Sequence, residues 1–383
     1  MSILFESVKI KNMELQNRFV RSATFDGSAG RAGQVSERQI KIFNELARGG
    51  VGLIITGITY VHHSGQRFLS QNSIDSDDCI PGFKRLTTNV HNWGAKIAVQ
   101  LFHAGREGAS FQKSKNEQAI APSFIDNDPY FKDQYRSMSE DEIWYIVRSF
   151  GDAAKRAREA DFDAIQLHGA HGYLLSQFLS PFTNRRHDKW GGNLENRIRI
   201  HHAIYEDIRR KVGEDYPVLI KIGVQDAYPG GLEFSEGKLA AKSLAERGFD
   251  ALEISLGLRG PGYEKTEFRT KIDRLDREAY YRNWCQEIKK EVDIPIMMVG
   301  GLRTFELMEE IVQMKESDFI SLCRPLIREP NLIDVWKRGD RHRAKCISCN
   351  KCLQGLRKGE KLRCFQEEKA PKGYLHRRDT NRV

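Results

Sequence analysis

Eight short apolar, β-branched runs recur along the chain, and nothing else constrains its fold so strongly. They are "RFVRSATF" (18–25), "GVGLIITGITYV" (50–61), "AKIAVQLFHAGR" (95–106), "FDAIQLHGA" (162–170), "YPVLIKIGV" (216–224), "FDALEISLG" (249–257), "IPIMMVGG" (294–301) and "SDFISLCRP" (317–325). None alternates cleanly between apolar and polar residues, so each suits a strand buried on both faces, the signature of a parallel sheet. Amphipathic segments lie between them. "SERQIKIFNELARGG" opens on a capping serine and closes on glycines, and Ser139-x-x-Glu142 has the spacing of a capping box. "SEGKLAAKSLAERG" and "TFELMEEIVQMK" behave alike. Eight strand–helix alternations predict an α/β fold, a (β/α)8 barrel, over a doubly wound sheet.

Polar residues cluster at the C-terminal ends of these runs, where barrel sites are built. Gln100 and His103 end the third, and His168, His171 and Tyr173 follow the fourth. Lys221 lies in the fifth, Gly300 and Gly301 end the seventh, and Cys323 and Arg324 end the eighth. The stretches 62–80 and 107–137 read as surface loops over the barrel mouth, and the composition turns basic and cysteine-rich from about 337. The expected organisation is a barrel over 1–336 and a cysteine-rich, metal-binding extension with a basic tail over 337–383.

With 383 residues, 40% apolar and 30% charged, the chain reads as soluble and globular. No apolar run reaches the length of about eighteen that a membrane span needs, and the N-terminus does not read as a signal peptide. A cytoplasmic protein is expected. The net charge of +9 is spread among acids until the last fifty residues, so no nucleic-acid partner is expected. An anionic substrate or cofactor is compatible with it.

The site chemistry starts from "VGGLRT" and "LCRPL". Loops after barrel strands seven and eight often hold a phosphate: glycines admit backbone N–H groups, and Arg324 or Arg303 can add charge. Turn glycines and a surface arginine explain the same residues. His168 and His171 at one mouth can jointly polarise a carbonyl or nitro oxygen, and Tyr173 can deliver a proton to the neighbouring carbon. Any one of the three alone reads as a packed side chain.

"LHGAHGYLLSQFLSPFTNRRHDKWGGNLENRIR" resembles the signature segment of the Old Yellow Enzyme family of flavin reductases. "VQLFHAGR", "LQNRFVRSAT", "VGGLRT" and "RPLIREP" are similar to further motifs of that family, in order, from about residue 3 to 335. The resemblance implies non-covalent FMN at the barrel mouth, with Ala23 and Thr24 at the flavin's central edge and Gly57 beneath the ring. Gln100 would bond the pyrimidine and Lys221 stand near N1 and O2, where a cation favours the reduced anion. Gly300, Gly301, Cys323 and Arg324 would carry the phosphate. Hydride would pass from NADH or NADPH through the flavin to the β-carbon of an unsaturated carbonyl compound, held by His168 and His171 and protonated by Tyr173. Family members of this kind often form dimers or tetramers, so a homo-oligomer is expected.

Cys346-x2-Cys349-x2-Cys352-x11-Cys364 is a four-thiolate arrangement that suits zinc or an iron–sulfur cluster. The segment is similar to that of the 2,4-dienoyl-CoA reductase and trimethylamine dehydrogenase branch, which implies [4Fe–4S] over zinc. No G-x-G-x-x-G follows a strand after these cysteines, so a cluster would pass its electrons to or from a partner protein or be a structural relic; the first case gives the second reading, an electron-transfer component. Phe25 stands where the trimethylamine dehydrogenase type carries its flavin-bonding cysteine. A third reading, a basic barrel with a zinc knuckle binding RNA, rests only on the tail 369–383. The pairs His62-His63 and His201-His202 read as surface or loop residues, His103 as packing or substrate contact, and Trp190 and Tyr228 as candidates for the pocket wall.

Overall fold

The computed structural model describes residues 2–128, 131–132 and 134–366. Eight strands form the barrel: β1 (Phe19–Arg21), β2 (Leu53–Tyr60), β3 (Lys96–Phe102), β4 (Ala164–Gly169), β5 (Val218–Gly223), β6 (Ala251–Ser255), β7 (Ile296–Met298) and β8 (Phe319–Leu322). Each pairs in parallel with its sequence neighbours, and β8 closes on β1 through Ile320 opposite Phe19. The barrel that the eight runs predict is thus present. β1 and β7 are shorter than their runs. Gly300 and Gly301 turn the chain out with φ of 136° and 75°, a region L side chains avoid.

Helices α1 (Glu37–Arg48), α2 (Ile80–His91), α3 (Glu140–Glu159), α4 (Leu194–Val212), α5 (Phe234–Arg247), α6 (Arg282–Lys289), α7 (Phe305–Gln313) and α8 (Leu332–Lys337) lie between and after the strands. Capping boxes start α1 and α3: Ser36 with Gln39 and Ser139 with Glu142 satisfy each other's end N–H groups. The apolar faces of these helices and the outward residues of the strands form one core. Burying each Leu, Ile or Phe of it removes apolar surface worth about 1.5–3 kcal/mol.

A second, smaller core fills the barrel floor. Val20, Leu53, Ala98, Ala164, Leu219, Ala251, Met297 and Phe319 point inward, and Ile10, Met13 and Leu15 close them off from below. Those three belong to an antiparallel hairpin, Val8–Ile10 with Met13–Leu15, that the sequence reading passed over. Plugging the floor leaves the opposite, C-terminal mouth as the open end.

The two stretches read as surface loops carry structure. Asn72–Ser73 adds a short parallel strand to the end of β2, and Ala119–Ala121 pairs with Tyr135–Ser137. A buried Arg106–Asp128 ion pair anchors the second stretch. After α8 the chain returns to the barrel mouth and forms a short helix, Lys351–Arg357. The basic tail 369–383 lies outside the described residues. Among those residues, no helix is long and apolar enough to cross a membrane.

Candidate active site

The mouth opens into a cavity of about 520 Å³, walled by residues from β2, β3, β4, β5, β6 and β8 and by the loops after β1, β2, β4, β6, β7 and β8. Ala23, Thr24, Gln100, His168, His171, Tyr173, Lys221, Gly300, Gly301, Cys323 and Arg324 all line it. Eleven residues named from sequence therefore meet in one space. Gly57 does not line it. A Cβ there would lie 2.8 Å from the carbonyl oxygen of Thr24, so Gly57 sits behind the loop from β1 and lets that backbone approach. Strand β2 bulges between Ile55 and Ile58, which turns Gly57 away from the cavity.

The histidine pair is held by a sharp turn after β4. His171 and Gly172 have φ of 61° and 76°, and the His171 N–H donates to Leu256 O at 3.0 Å. The two imidazoles meet edge to face at 4.9 Å, and His168 stands 5.0 Å from the Tyr173 ring. Burial pushes both imidazoles well below their ordinary range, helped by Lys221 and Arg259 and, for His168, by His171, so both are neutral. The hydrogen bonds assign the tautomers. His168 Nδ1 accepts the Ala170 N–H at 3.4 Å, which leaves the proton on Nε2. His171 Nε2 lies 2.8 Å from Ser255 Oγ, while its Nδ1 faces the Glu267 carboxylate at 3.6 Å. With the Ser255 hydroxyl donating to Nε2, the His171 proton sits on Nδ1, on the side of the carboxylate. Each histidine thus keeps one N–H donor.

Tyr173 has partners that the sequence reading missed. Arg67 and Arg259 each place a guanidinium 5.2 Å from its ring centre. Arg259 Nη2 donates toward the phenol oxygen at 3.4 Å, leaving the O–H free to donate. Glu267 holds Arg259 through both carboxylate oxygens, and Glu107 holds Arg67 at 2.6 Å. Arg67 sits in the 62–80 stretch and Arg259 just past the sixth run, where no periodicity draws attention.

Lys221 of β5 lines the cavity and is paired. Lys221 Nζ donates to Ser22 Oγ at 2.8 Å and lies 3.2 Å from Glu253 Oε2. Gln166 Nε2 donates to the same Glu253 oxygen at 2.9 Å, and Gln100 Nε2 donates to Gln166 Oε1 at 2.7 Å. Glu253 and Gln166 were visible as polar letters inside "FDALEISLG" and "FDAIQLHGA".

At the far end, Gly300 and Gly301 bring bare backbone to the cavity beside Arg324. Arg324 Nη1 is oriented by Asn350 Oδ1 at 2.6 Å and Arg269 O at 2.8 Å. Arg303 plays another part than the phosphate contact considered for it. Its guanidinium donates to Ala344 O and Ile272 O, tying the C-terminal segment to the barrel. Ser321 Oγ, at the cavity wall, is buried with no partner among the described residues. A largely apolar space with an oriented amide, a buried cation, an orphan hydroxyl and a glycine turn beside an arginine fits FMN.

The cysteines meet only in part. Cys352 lines the cavity, and its thiol is pushed up to about 11 by burial and by neighbouring Cys323 and Cys346. Burial also raises Cys346, which senses Cys364. Cys349 Sγ accepts from Gln366 at 3.4 Å. All four thiols are free, but among the described residues no three His, Cys, Asp or Glu side chains converge on a metal-binding point. The donor chemistry suits a thiolate metal site; the placement does not assemble one.

Several other residues fall outside the cavity. Trp190 is buried against Trp144, and Tyr228 packs on Phe182. His103 lies under Gly65 and bonds Ser64 at 3.0 Å, a packing role. His62 is half-buried through the same serine, and His201 is fully buried rather than superficial.

The parallel barrel thus gathers a buried cation, an oriented amide and a His–His–Tyr cluster at one mouth. Residues 3–342 match the NADH:flavin oxidoreductase / NADH oxidase family, and the chain belongs to it. It is 37% identical over 369 residues to an NADH oxidase from Thermoanaerobacter brockii, covering 94% of this chain and 55% of that one. Among solved structures it resembles a 2-naphthoyl-CoA reductase in complex with 2-naphthoyl-CoA (TM-score 0.87, 25% identity, 94% of this chain and 56% of that one). It also resembles the old yellow enzyme homologue from Zymomonas mobilis (TM-score 0.73, 25% identity, 89% and 94%). The chain thus spans about half the length of the NADH oxidase and of the 2-naphthoyl-CoA reductase, and nearly all of the old yellow enzyme homologue.

Proposed function

We propose that the chain is an FMN-dependent ene-reductase that uses NAD(P)H to reduce the activated C=C of α,β-unsaturated carbonyl compounds. The observation that carries this reading is the arrangement of His168, His171 and Tyr173 on one wall of the cavity that also holds Gln100 and Lys221. Gln100 and Lys221 would hold the ring of FMN in this cavity, and the cofactor would supply the hydride-transfer chemistry between nicotinamide and substrate. The protein residues do the rest. His168 Nε2–H and His171 Nδ1–H hold the substrate's carbonyl oxygen and stabilise the charge that grows on it. Both imidazoles are neutral, so they polarise by hydrogen bonding and do not give up a proton. The Tyr173 O–H delivers the proton to the α-carbon, and Arg259 steadies the phenol oxygen from behind. Gly300, Gly301, Cys323 and Arg324 would hold the phosphate. Phe25 and Phe68, stacked at 4.7 Å, supply an apolar part of the cavity wall.

The test is reconstitution with FMN followed by turnover of a simple cyclic enone with NADH or NADPH. Flavin reduction by the nicotinamide and reoxidation by the enone support the reading; FMN binding without enone-dependent reoxidation contradicts it.

The second reading, a flavin and metal component passing electrons to a partner protein, is favoured by one observation: Cys352 belongs both to the four-cysteine segment and to the cavity wall. On this reading Cys346, Cys349, Cys352 and Cys364 close around [4Fe–4S], with zinc as the alternative. Iron, sulfide and zinc assays on protein purified without oxygen decide between them, and steady NAD(P)H–enone turnover by the lone chain counts against the relay.

A further inference from the structure

We propose that Glu253 is a positioning residue that sets both the redox poise and the hydrogen-bond polarity of the flavin end of the cavity, acting through Lys221 and Gln166. The inference rests on the reading that FMN occupies this cavity. Glu253 is 0% exposed on the inner wall of β6, side by side in the parallel register with Lys221 of β5 and Met297 of β7. A carboxylate there is costly to desolvate and is tolerated only when something is gained from it. Only one of its oxygens is engaged: Oε2 takes Gln166 at 2.9 Å and Lys221 at 3.2 Å, while Oε1 has no partner among the described residues. Packing alone would be served better by an apolar residue.

Two consequences follow from its chemistry. First, a carboxylate can only accept. Gln166 must therefore turn its NH₂ to Glu253, which leaves Gln166 Oε1 to accept from Gln100. The Gln100 NH₂ is turned toward Gln166 with one N–H committed there, so its carbonyl oxygen lies at the opposite corner of the amide, uncommitted among the described residues. An amide that could otherwise face either way is fixed as an acceptor, matched to the ring N–H of a pyrimidine edge. Second, Glu253 stands behind Lys221, a buried cation at this end. Its charge subtracts from the field Lys221 projects into the cavity. Reduced flavin carries more negative charge than oxidised flavin, so it is stabilised less by the Lys221–Glu253 pair than it would be by Lys221 alone. Glu253 thus keeps the bound flavin a stronger hydride donor.

Anaerobic spectroelectrochemical titration of the FMN-loaded protein tests this. Glu253→Gln, which keeps shape and removes charge, is expected to move the ratio of reduced to oxidised flavin at fixed potential at least tenfold toward reduced, about +30 mV for a two-electron couple. Lys221→Met is expected to move it the other way, and this variant carries the test if Glu253→Gln does not fold. An unchanged potential in Glu253→Gln, or a shift of Lys221→Met in the positive direction, overturns the inference alone. Failure of the wild-type chain to bind FMN overturns both the inference and the functional reading beneath it.

Discussion

His168 and Tyr173 stand ring to ring, 5.0 Å between centroids at 72°, five residues apart across a left-handed turn. That relationship separates two tasks: the neutral imidazole offers an N–H for a substrate oxygen, and the phenol offers a proton for a carbon beside it. It depends on His171 and Gly172 taking positive φ in succession, so that the chain doubles back after β4 before the short helix Leu174–Leu179 begins.

Tyr173→Phe keeps the ring packing against Phe102 and removes only the proton. Enone reduction is expected to fall about 10²- to 10⁴-fold, the range of a lost general acid. Flavin reduction by NAD(P)H should change little. Stopped-flow measurement of the two half-reactions separates these effects, and equal losses in both halves speak against a proton-donor role.

Replacing His168 or His171 by Ala removes a donor to the substrate's oxygen. A loss of about 10²- to 10³-fold in the enone half-reaction is expected, with FMN retained at wild-type stoichiometry. Because neither imidazole is charged, their contribution should be flat between pH 6 and 8 in the wild-type rate profile.

Acid stability carries a second signature. Burial lowers His201 from its ordinary value to about 3, and neither ring nitrogen has a hydrogen-bonding partner among the described residues. A histidine lowered in the folded state binds its proton more readily when unfolded. Its contribution is intact above pH 6.5 and is lost as pH falls from 6.5 toward 3, by about 1.4 kcal/mol per unit. His201→Leu should flatten the decline of thermal stability between pH 6 and 4. His103, also lowered to about 3 by burial, and the buried pair His168 and His171 contribute to the decline that remains.

Asn350 joins Arg324 at 2.6 Å to the backbone of Phe268 at 2.6 Å, from a left-handed φ of 57°. Asn350→Ala should loosen Arg324 and raise the dissociation constant of FMN about tenfold, the effect of one lost hydrogen bond to a charged group. Fluorescence titration with FMN reads this directly.

What was legible in the sequence follows from how repetitive the physics is. Strands buried on both faces must be apolar throughout, so all eight barrel strands announced themselves. Residues at strand ends share a mouth, so His168, Lys221 and Arg324 could be grouped without coordinates. The floor hairpin was missed because three-residue strands leave too little pattern, although Val8, Ile10, Met13 and Leu15 do alternate with polar residues. Arg67 and Arg259 lie in stretches without periodicity. Arg303 was a candidate phosphate contact because sequence gives position after a strand but not the direction of a long side chain. Gly57 was displaced by a bulge that no residue type in β2 declares.

The central claim is tested most directly by mixing the FMN-loaded, pre-reduced protein with cyclohexenone in the absence of oxygen and following the flavin absorbance. The account predicts full reoxidation, at a rate set by enone concentration, with one saturated ketone formed per flavin, and loss of that phase in Tyr173→Phe. Reduced flavin that stays reduced in the presence of enone, yet reoxidises with a one-electron acceptor, would contradict it and leave the chain an electron carrier.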